Sequence, residues 1–296
     1  MTISHEFDYF RPASLDEAVG LLDRFGAAAS VLAGGTDLVG WLREDLVTPE
    51  ALIDLKAVPG LDTIEVRGQQ LRFGSLVTFN QVIGSELIAK HAPLFVEMAK
   101  VVASTGVRNR ATLVGNICSS VPCCDTGPVL LVYDAVIVVR GKTGERRIPI
   151  NEWFVAPRKT SLAAGELVTH VEITLPSGKH AGCYVKLRRY KGEDLAQASV
   201  AILALPDDTF HVAFGAVAPT PVRSERIGMA LQGKQLSDAA IAAAKDLVPE
   251  ETAPITDVRA SKEYRAHMLR VMLERGLKAA AARLAGGGPA YGEELL

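Results

Sequence analysis

Two glycine turns and a carboxylate carry the first chemical signal in this chain. The stretch VLAGGTDL, Val31 to Leu38, runs a short apolar strand into Gly34-Gly35. A double glycine lets the backbone turn sharply and present consecutive N–H groups, a nest that binds phosphate oxygens without a basic side chain. Glycine suits such a place because a Cβ would block close approach and restrict φ. Thr36 adds a hydroxyl donor. Taken alone, the same residues also read as an ordinary strand-to-helix turn. The second stretch, ATLVGNICSSVPCCDTGP from Ala111 to Pro128, sets another glycine turn among Thr112, Gly115 and Asn116, with Asp125 nine residues after Asn116. A carboxylate beside a dinucleotide does not serve its phosphates, since like charges repel, but it suits ribose hydroxyls, which donate to it. Two phosphate-type turns with a ribose-type carboxylate suggest an adenine dinucleotide. No GxGxxG follows a strand, so a Rossmann site is not supported.

Other reactive residue types are less telling. YVKLRRYKGEDLAQ, Tyr184 to Gln197, groups Lys186, Arg188, Arg189 and Lys191 ahead of Glu193 and Asp194; by itself it reads as a solvated strand edge. Of four cysteines, Cys118, Cys123 and Cys124 crowd one loop and Cys183 stands far off. A four-thiolate cluster would need Cys183 to fold back onto that loop; small buried thiols or a redox-sensitive site are the other readings, the first of them the expectation. The six histidines show no metal-ligand spacing, and a structural role is expected for His170.

The elements that must position these residues can be read from periodicity and caps. Ser14 and Glu17 stand at capping-box spacing before Leu15, Ala18, Val19 and Leu22, and Gly26 can close that helix with positive φ. Ala28 to Ala33 reads as a buried strand and Thr36 to Leu42 as the start of a helix. Leu52 to Leu55, Thr63 to Val66, Leu71 to Phe73 and Val136 to Arg140 read as strands, Asn80 to Ile88 and Pro93 to Val102 as helices, with Ser104 to Pro128 irregular between them. Ser177-Gly178-Lys179 resembles a linker. Cys183 to Leu187, Ala198 to Leu205 and His211 to Ala218 look like antiparallel strands. Helices are expected over Ser237 to Asp246 and Lys262 to Ala285, the latter with Tyr264, Met268, Val271, Met272 and Leu277 along one side. The glycine-rich tail, Gly286 to Leu296, is expected to be mobile.

Composition bounds the function classes. The chain has 296 residues, 48% hydrophobic and 22% charged, with a formal net charge of −2. Two or three domains are expected at this length, and the near-neutral balance gives no electrostatic reason to propose nucleic acid or an anionic membrane as partner. No apolar run is long enough to span a bilayer. Met1 to Pro12 lacks the three-part pattern of a signal peptide, so a cytoplasmic location is expected.

Together these stretches resemble the FAD-carrying subunit of the xanthine dehydrogenase and carbon monoxide dehydrogenase group, the molybdenum hydroxylases. The anchors are Ala33-Gly34-Gly35-Thr36-Asp37, Gly74 with Thr78, Thr112 to Asn116, Pro122 with Asp125, Thr160-x-Leu162 through Glu166, Lys186 to Ala196, and Asp257-x-Arg259-x-Ser261-x-x-Tyr264-Arg265. Their order and spacing, from about Phe10 to Leu277, are together specific. The resemblance implies an α+β chain: a two-part FAD-binding domain of the vanillyl-alcohol-oxidase (PCMH) type over residues 1–175, divided near residue 57, then a smaller α/β domain over 179–285 and a tail, 286–296. It implies FAD in extended form. Ala33 to Asp37 with Thr112, Gly115 and Asn116 would hold the pyrophosphate, Asp125 would meet the ribose side, and Val168 and Lys186 would lie near the isoalloxazine, where a cation raises the flavin potential. Tyr190 is read, apart from the resemblance, as the residue to cover the ring. One departure stands out: the family's Thr-x-Gly-Gly-Asn is Thr112-Leu113-Val114-Gly115-Asn116 here, and a β-branched Val114 resists positive φ.

The function implied is electron relay. A small partner with two [2Fe–2S] clusters and a large partner with a molybdenum-pterin centre would be required, as a dimer of heterotrimers, with an external acceptor for the electrons. A stand-alone flavoenzyme of the same fold and a flavin-free assembly subunit are the alternatives; the first would need a catalytic acid or base that the sequence does not offer.

Overall fold

The computed structural model describes residues 2–190 and 192–296; Met1, and Lys191 of the basic cluster, lie outside the described residues. The chain opens with β1 (Asp8–Phe10), α1 (Leu15–Phe25), β2 (Ala29–Leu32), α2 (Leu38–Arg43) and β3 (Ala51–Asp54). The Ser14 hydroxyl accepts the Glu17 N–H at 3.2 Å to start α1, and Gly26 ends it at φ +53°. The helix buries Ala18, Val19 and Leu22 against Ile53, Leu55, Val58 and Leu61. The three strands form a parallel sheet in the order β1-β3-β2.

The second unit carries β4 (Ile64–Arg67), β5 (Gln70–Gly74), α3 (Phe79–Gly84), α4 (Glu86–His91), α5 (Pro93–Lys100), α6 (Thr105–Arg108), α7 (Leu113–Cys118), α8 (Thr126–Val132), β6 (Val136–Gly141), β7 (Gly144–Pro149), a small hairpin of β8 (Phe154–Ala156) and β9 (Lys159–Thr160), and β10 (Leu167–Thr174). The antiparallel sheet runs β4-β5-β10-β6-β7. One helix was expected over Asn80 to Ile88; two form, because Ser85 leaves helical geometry and its side chain caps α4 at the Ile88 N–H. The stretch from Ser104 to Pro128, expected to be irregular, holds three short helices, two of them started by the capping hydroxyls of Ser104 and Thr112.

The third unit is a meander of β11 (Ala181–Leu187), β12 (Ala198–Leu205), β13 (Thr209–Gly215) and β14 (Val222–Arg223), followed by α9 (Glu225–Leu231), α10 (Asp238–Glu251) and α11 (Lys262–Ala285). Both faces of this sheet are covered. Cys183, Val185, Val200, Ile202 and Phe214 meet the helices α9 to α11, while Tyr184, Ala201, Leu203 and Ala213 join the core of the second unit. Double burial explains why Ala198 to Leu205 reads as a continuous apolar run rather than an alternation. On α11, Met272 and Leu277 of the expected side are buried and Met268 packs against the same core, but the inner face extends around the helix from them. Arg265, Leu269, Met272, Leu273 and Gly276 face inward, whereas Tyr264 is exposed. Arg265 takes the inner position because its guanidinium serves the Gln197 carbonyl at 2.5 Å and Asp257 at 2.6 Å. No helix among the described residues is long and apolar enough to cross a membrane.

The tail packs against α5 and the end of α11. Arg283 and Glu97, each 4% exposed, pair at 2.8 Å. Burying two charges requires that their remaining donors and acceptors be satisfied, and the tail supplies them. Arg283 donates to the Pro289 and Ala290 carbonyls, both at 2.9 Å, and the Gly292 N–H reaches Glu97 at 3.0 Å. The Arg283 guanidinium also lies over the Tyr291 ring, 4.1 Å from its centroid. Arg283→Met leaves Glu97 buried without its cation. Urea denaturation of this variant should show a loss of about 3 kcal/mol or more; a loss below about 1 kcal/mol would mean that the pair does not hold the last unit to the second.

Candidate functional site

The glycine turn after β2 and the loop before α7 meet in backbone contact. A Cβ built on Gly34 would lie 2.0 Å from the Arg110 carbonyl oxygen, so only glycine permits the approach. Gly35 has φ +79°, a conformation that side chains with a Cβ resist. A second tie joins the end of the glycine turn to the far end of α7, where the Ser119 hydroxyl donates to Asp37. The segment after β5 closes a third side: Phe79 N–H donates to the Ala111 carbonyl at 3.1 Å and Leu113 N–H to the Val77 carbonyl at 3.0 Å. Between these segments and β11 lies a cavity of about 880 Å³, within the range of small-molecule and cofactor sites.

All eleven residues singled out in the sequence line it: Ala33, Gly34, Gly35, Thr36, Asp37, Thr112, Gly115, Asn116, Asp125, Val168 and Lys186. Several carry structural duties as well. The Ala33 carbonyl accepts from Lys56, which is paired with Asp54 at 2.7 Å. Thr112 caps α7 by accepting the Gly115 N–H at 2.9 Å, and Asn116 accepts the Thr126 N–H at 3.1 Å at the start of α8. Val114 stands in the first turn of α7 with helical backbone and a buried side chain, so the loss of the family's glycine there requires no positive φ. Val168 lies beside a register break in β10, where the Thr169 carbonyl takes the Ser75 N–H at 3.0 Å.

Asp125 is engaged on both oxygens. The Tyr184 hydroxyl donates to one at 2.7 Å and the Lys186 ammonium to the other at 2.9 Å; Lys186 donates also to the Val101 carbonyl at 3.0 Å. The Lys186 side chain is 3% exposed, a depth at which an ammonium needs its counter-ion. An ionised carboxylate has about four acceptor positions, so Asp125 keeps capacity toward a ligand. Burial, and then Asp125, push the Tyr184 phenol well above its ordinary pKa, which keeps it a donor. The loop Leu162 to Glu166 forms another wall, and Glu166 is held below the usual carboxylate range chiefly by Arg146, at 2.6 Å.

Two contributors were not evident in the sequence. Ser75 lines the cavity, is 3% exposed, and its hydroxyl has no hydrogen-bond partner among the described residues. Its position between the anchors Gly74 and Thr78 was the available signal. Tyr184 was read only as part of a strand. The cysteines part company: Cys118 and Cys123 line the cavity, Cys124 packs beneath Gly127, and Cys183 belongs to the core facing α11. Burial and Asp125 raise the Cys123 thiol. Among the described residues no group of three or more His, Cys, Asp or Glu side chains is placed to hold a metal ion. His170 contacts Glu172 at 3.0 Å and Thr169 at 2.9 Å.

A buried hydroxyl with no partner among the described residues, and a buried cation beside a hydroxyl-accepting carboxylate, fit a flavin dinucleotide. Residues 5–176 match the FAD-binding domain of molybdopterin dehydrogenases, and residues 183–280 match the C-terminal domain of the carbon monoxide dehydrogenase flavoprotein. The chain therefore belongs to the FAD-binding subunits of the molybdenum hydroxylase family, which are oxidoreductase components. It is 32% identical to the carbon monoxide dehydrogenase medium chain of Afipia carboxidovorans over 95% of this chain and 99% of that one. It is 30% identical to the xanthine dehydrogenase FAD-binding subunit of Escherichia coli O157:H7, over 94% and 97%. Its fold superposes on carbon monoxide dehydrogenase of Hydrogenophaga pseudoflava with a TM-score of 0.91 at 32% identity, covering 96% of this chain and 99% of that one.

Gly34→Ala would push a methyl into the Arg110 carbonyl and part the two turns. FAD content of the purified variant should fall about tenfold or more, the equivalent of roughly 1.4 kcal/mol. Undiminished flavin would show that this backbone contact does not build the site.

Proposed function

We propose that this chain relays electrons as the FAD-carrying subunit of a molybdenum hydroxylase complex. In this reading a small partner with two [2Fe–2S] clusters delivers electrons taken from substrate at the molybdenum-pterin centre of a large partner. FAD, when bound, accepts the electrons and passes them to an external acceptor. The assembly would be a dimer of heterotrimers in the cytoplasm. The observation that carries the reading over a self-contained flavoenzyme is that four of the five carboxylates lining the cavity are engaged, the fifth, Glu193, being exposed. Asp37, Asp125, Glu166 and Asp194 each already hold a hydroxyl or cationic donor, through Ser119, Tyr184 with Lys186, Arg146 and Arg259 respectively. None of the four is poised as a general base.

The residues of the chain divide the work of holding FAD. Ala33 to Asp37 with Thr112, Gly115 and Asn116 would take the pyrophosphate with backbone donors. Val168 would pack against the isoalloxazine and Lys186 would place positive charge beside it. Asp125 touches Lys186, so the two cannot serve opposite ends of an extended dinucleotide. With Lys186 at the ring, the hydroxyls within reach of Asp125 are those of the ribityl chain rather than of the adenosine ribose.

The test is a visible absorption spectrum of the complex isolated from its native source, with metal and subunit analysis of the same sample. Flavin with iron–sulfur absorption, molybdenum and two companion chains is the expected result. Flavin alone, with substrate turned over by the single chain, would replace the relay with the self-contained enzyme. No flavin, even after FAD is added, would overturn the cofactor reading.

A further inference from the structure

Alternation along β11 sends Cys183, Val185 and Leu187 into the core facing α11. Tyr184 and Lys186 go to the opposite side, where they grip the two oxygens of Asp125. The Tyr184 side chain is buried, at 6% residue exposure, and its backbone N–H donates to Glu97 at 2.8 Å, so the residue is fixed at both ends. Ser199 and Cys124 are further polar groups near the phenol. The terminal torsion of an aspartate is broad and two-fold, and a flexible lysine alone would not hold it. A rigid phenol on the second oxygen does. It also spreads the carboxylate's charge through a charge-assisted hydrogen bond.

We propose that Tyr184 is a positioning residue of the cofactor site: its hydroxyl orients Asp125 and takes up part of its negative charge, and Asp125 in turn sets where the Lys186 ammonium sits and how much of its charge reaches the cavity. The inference rests on the FAD reading above. Its consequence is electrostatic. Without the hydroxyl, the carboxylate's charge is less dispersed beside the flavin, and a more negative surrounding opposes the addition of electrons. With asparagine at position 125 that negative charge is gone, and the hydroxyl of Tyr184 has nothing to modulate.

The experiment compares the full chain loaded with FAD as wild type, Tyr184→Phe, Asp125→Asn and the double variant. The midpoint potential of bound flavin is read by spectroelectrochemical titration, FAD affinity by fluorescence, and folding by thermal melting. Tyr184→Phe should lower the potential and weaken FAD binding about fivefold, as the loss of one hydrogen bond worth about 1 kcal/mol implies. The double variant should match Asp125→Asn. An unchanged or raised potential in Tyr184→Phe, or the same downward shift in the asparagine background, overturns the proposal. If Asp125→Asn does not fold, the potential of Tyr184→Phe decides alone. A wild-type chain that binds no FAD overturns the cofactor reading, and this inference with it; bound FAD with an unmoved potential overturns the inference only.

Discussion

The site depends on one place where two stretches of backbone touch. The turn after β2 and the loop between α6 and α7 lie far apart in the chain, and their contact at Gly34 and the Arg110 carbonyl leaves no room for a side chain. That contact fixes the spacing of the two turns, and the bond from Ser119 to Asp37 fixes their relative rotation. With both set, the pairing of Val77 and Phe79 with Leu113 and Ala111 brings Ser75 to the wall. A cofactor bridging the turns is thus received by a frame whose dimensions are defined by main-chain packing, which yields little to thermal motion, rather than by flexible side chains.

The second constraint is charge. A dianionic pyrophosphate would leave the cavity little tolerance for unpaired carboxylates, and Asp37, Asp125, Glu166 and Asp194 are each tied to a donor. The same economy governs Lys186: at its depth it needs a counter-ion, and the counter-ion it has is shared with a phenol. The field at this end of the cavity is therefore the difference between a cation and a partly dispersed anion, a quantity adjustable by small changes of geometry.

Much of this could be read in the sequence because it is local. Ser14 and Gly26 mark the ends of α1, the run into Gly34-Gly35 marks a strand and its turn, and Thr112 caps its own helix. What escaped is what depends on residues far apart. Gly34 was read as making room for phosphate, whereas the neighbour that demands glycine is the Arg110 carbonyl. Tyr184 finds its partner 59 residues away and looked like any strand aromatic. Ser75 has no local mark other than its flanking anchors. On α11, the inner position of Arg265 defeats a hydrophobic stripe, since a buried arginine is legible only once Gln197 and Asp257 are seen beside it. Val114 shows the reverse: a departure from the family's glycine that looked costly is harmless because the residue is helical.

The clasp at Glu97 has a consequence for the order of events during synthesis. Its carboxylate leaves the ribosome 186 residues before Arg283 and 195 before Gly292, the groups that neutralise and bond it. Until Arg283 and Gly292 emerge, α5 carries an acid meant for a dry interior, and the residues made before them cannot bury that face without protonating it or leaving it wet. The segment from Arg283 to Gly292 thus completes the seam at which Tyr184 is held, and a nascent chain is denied its finished cavity until that segment has been made.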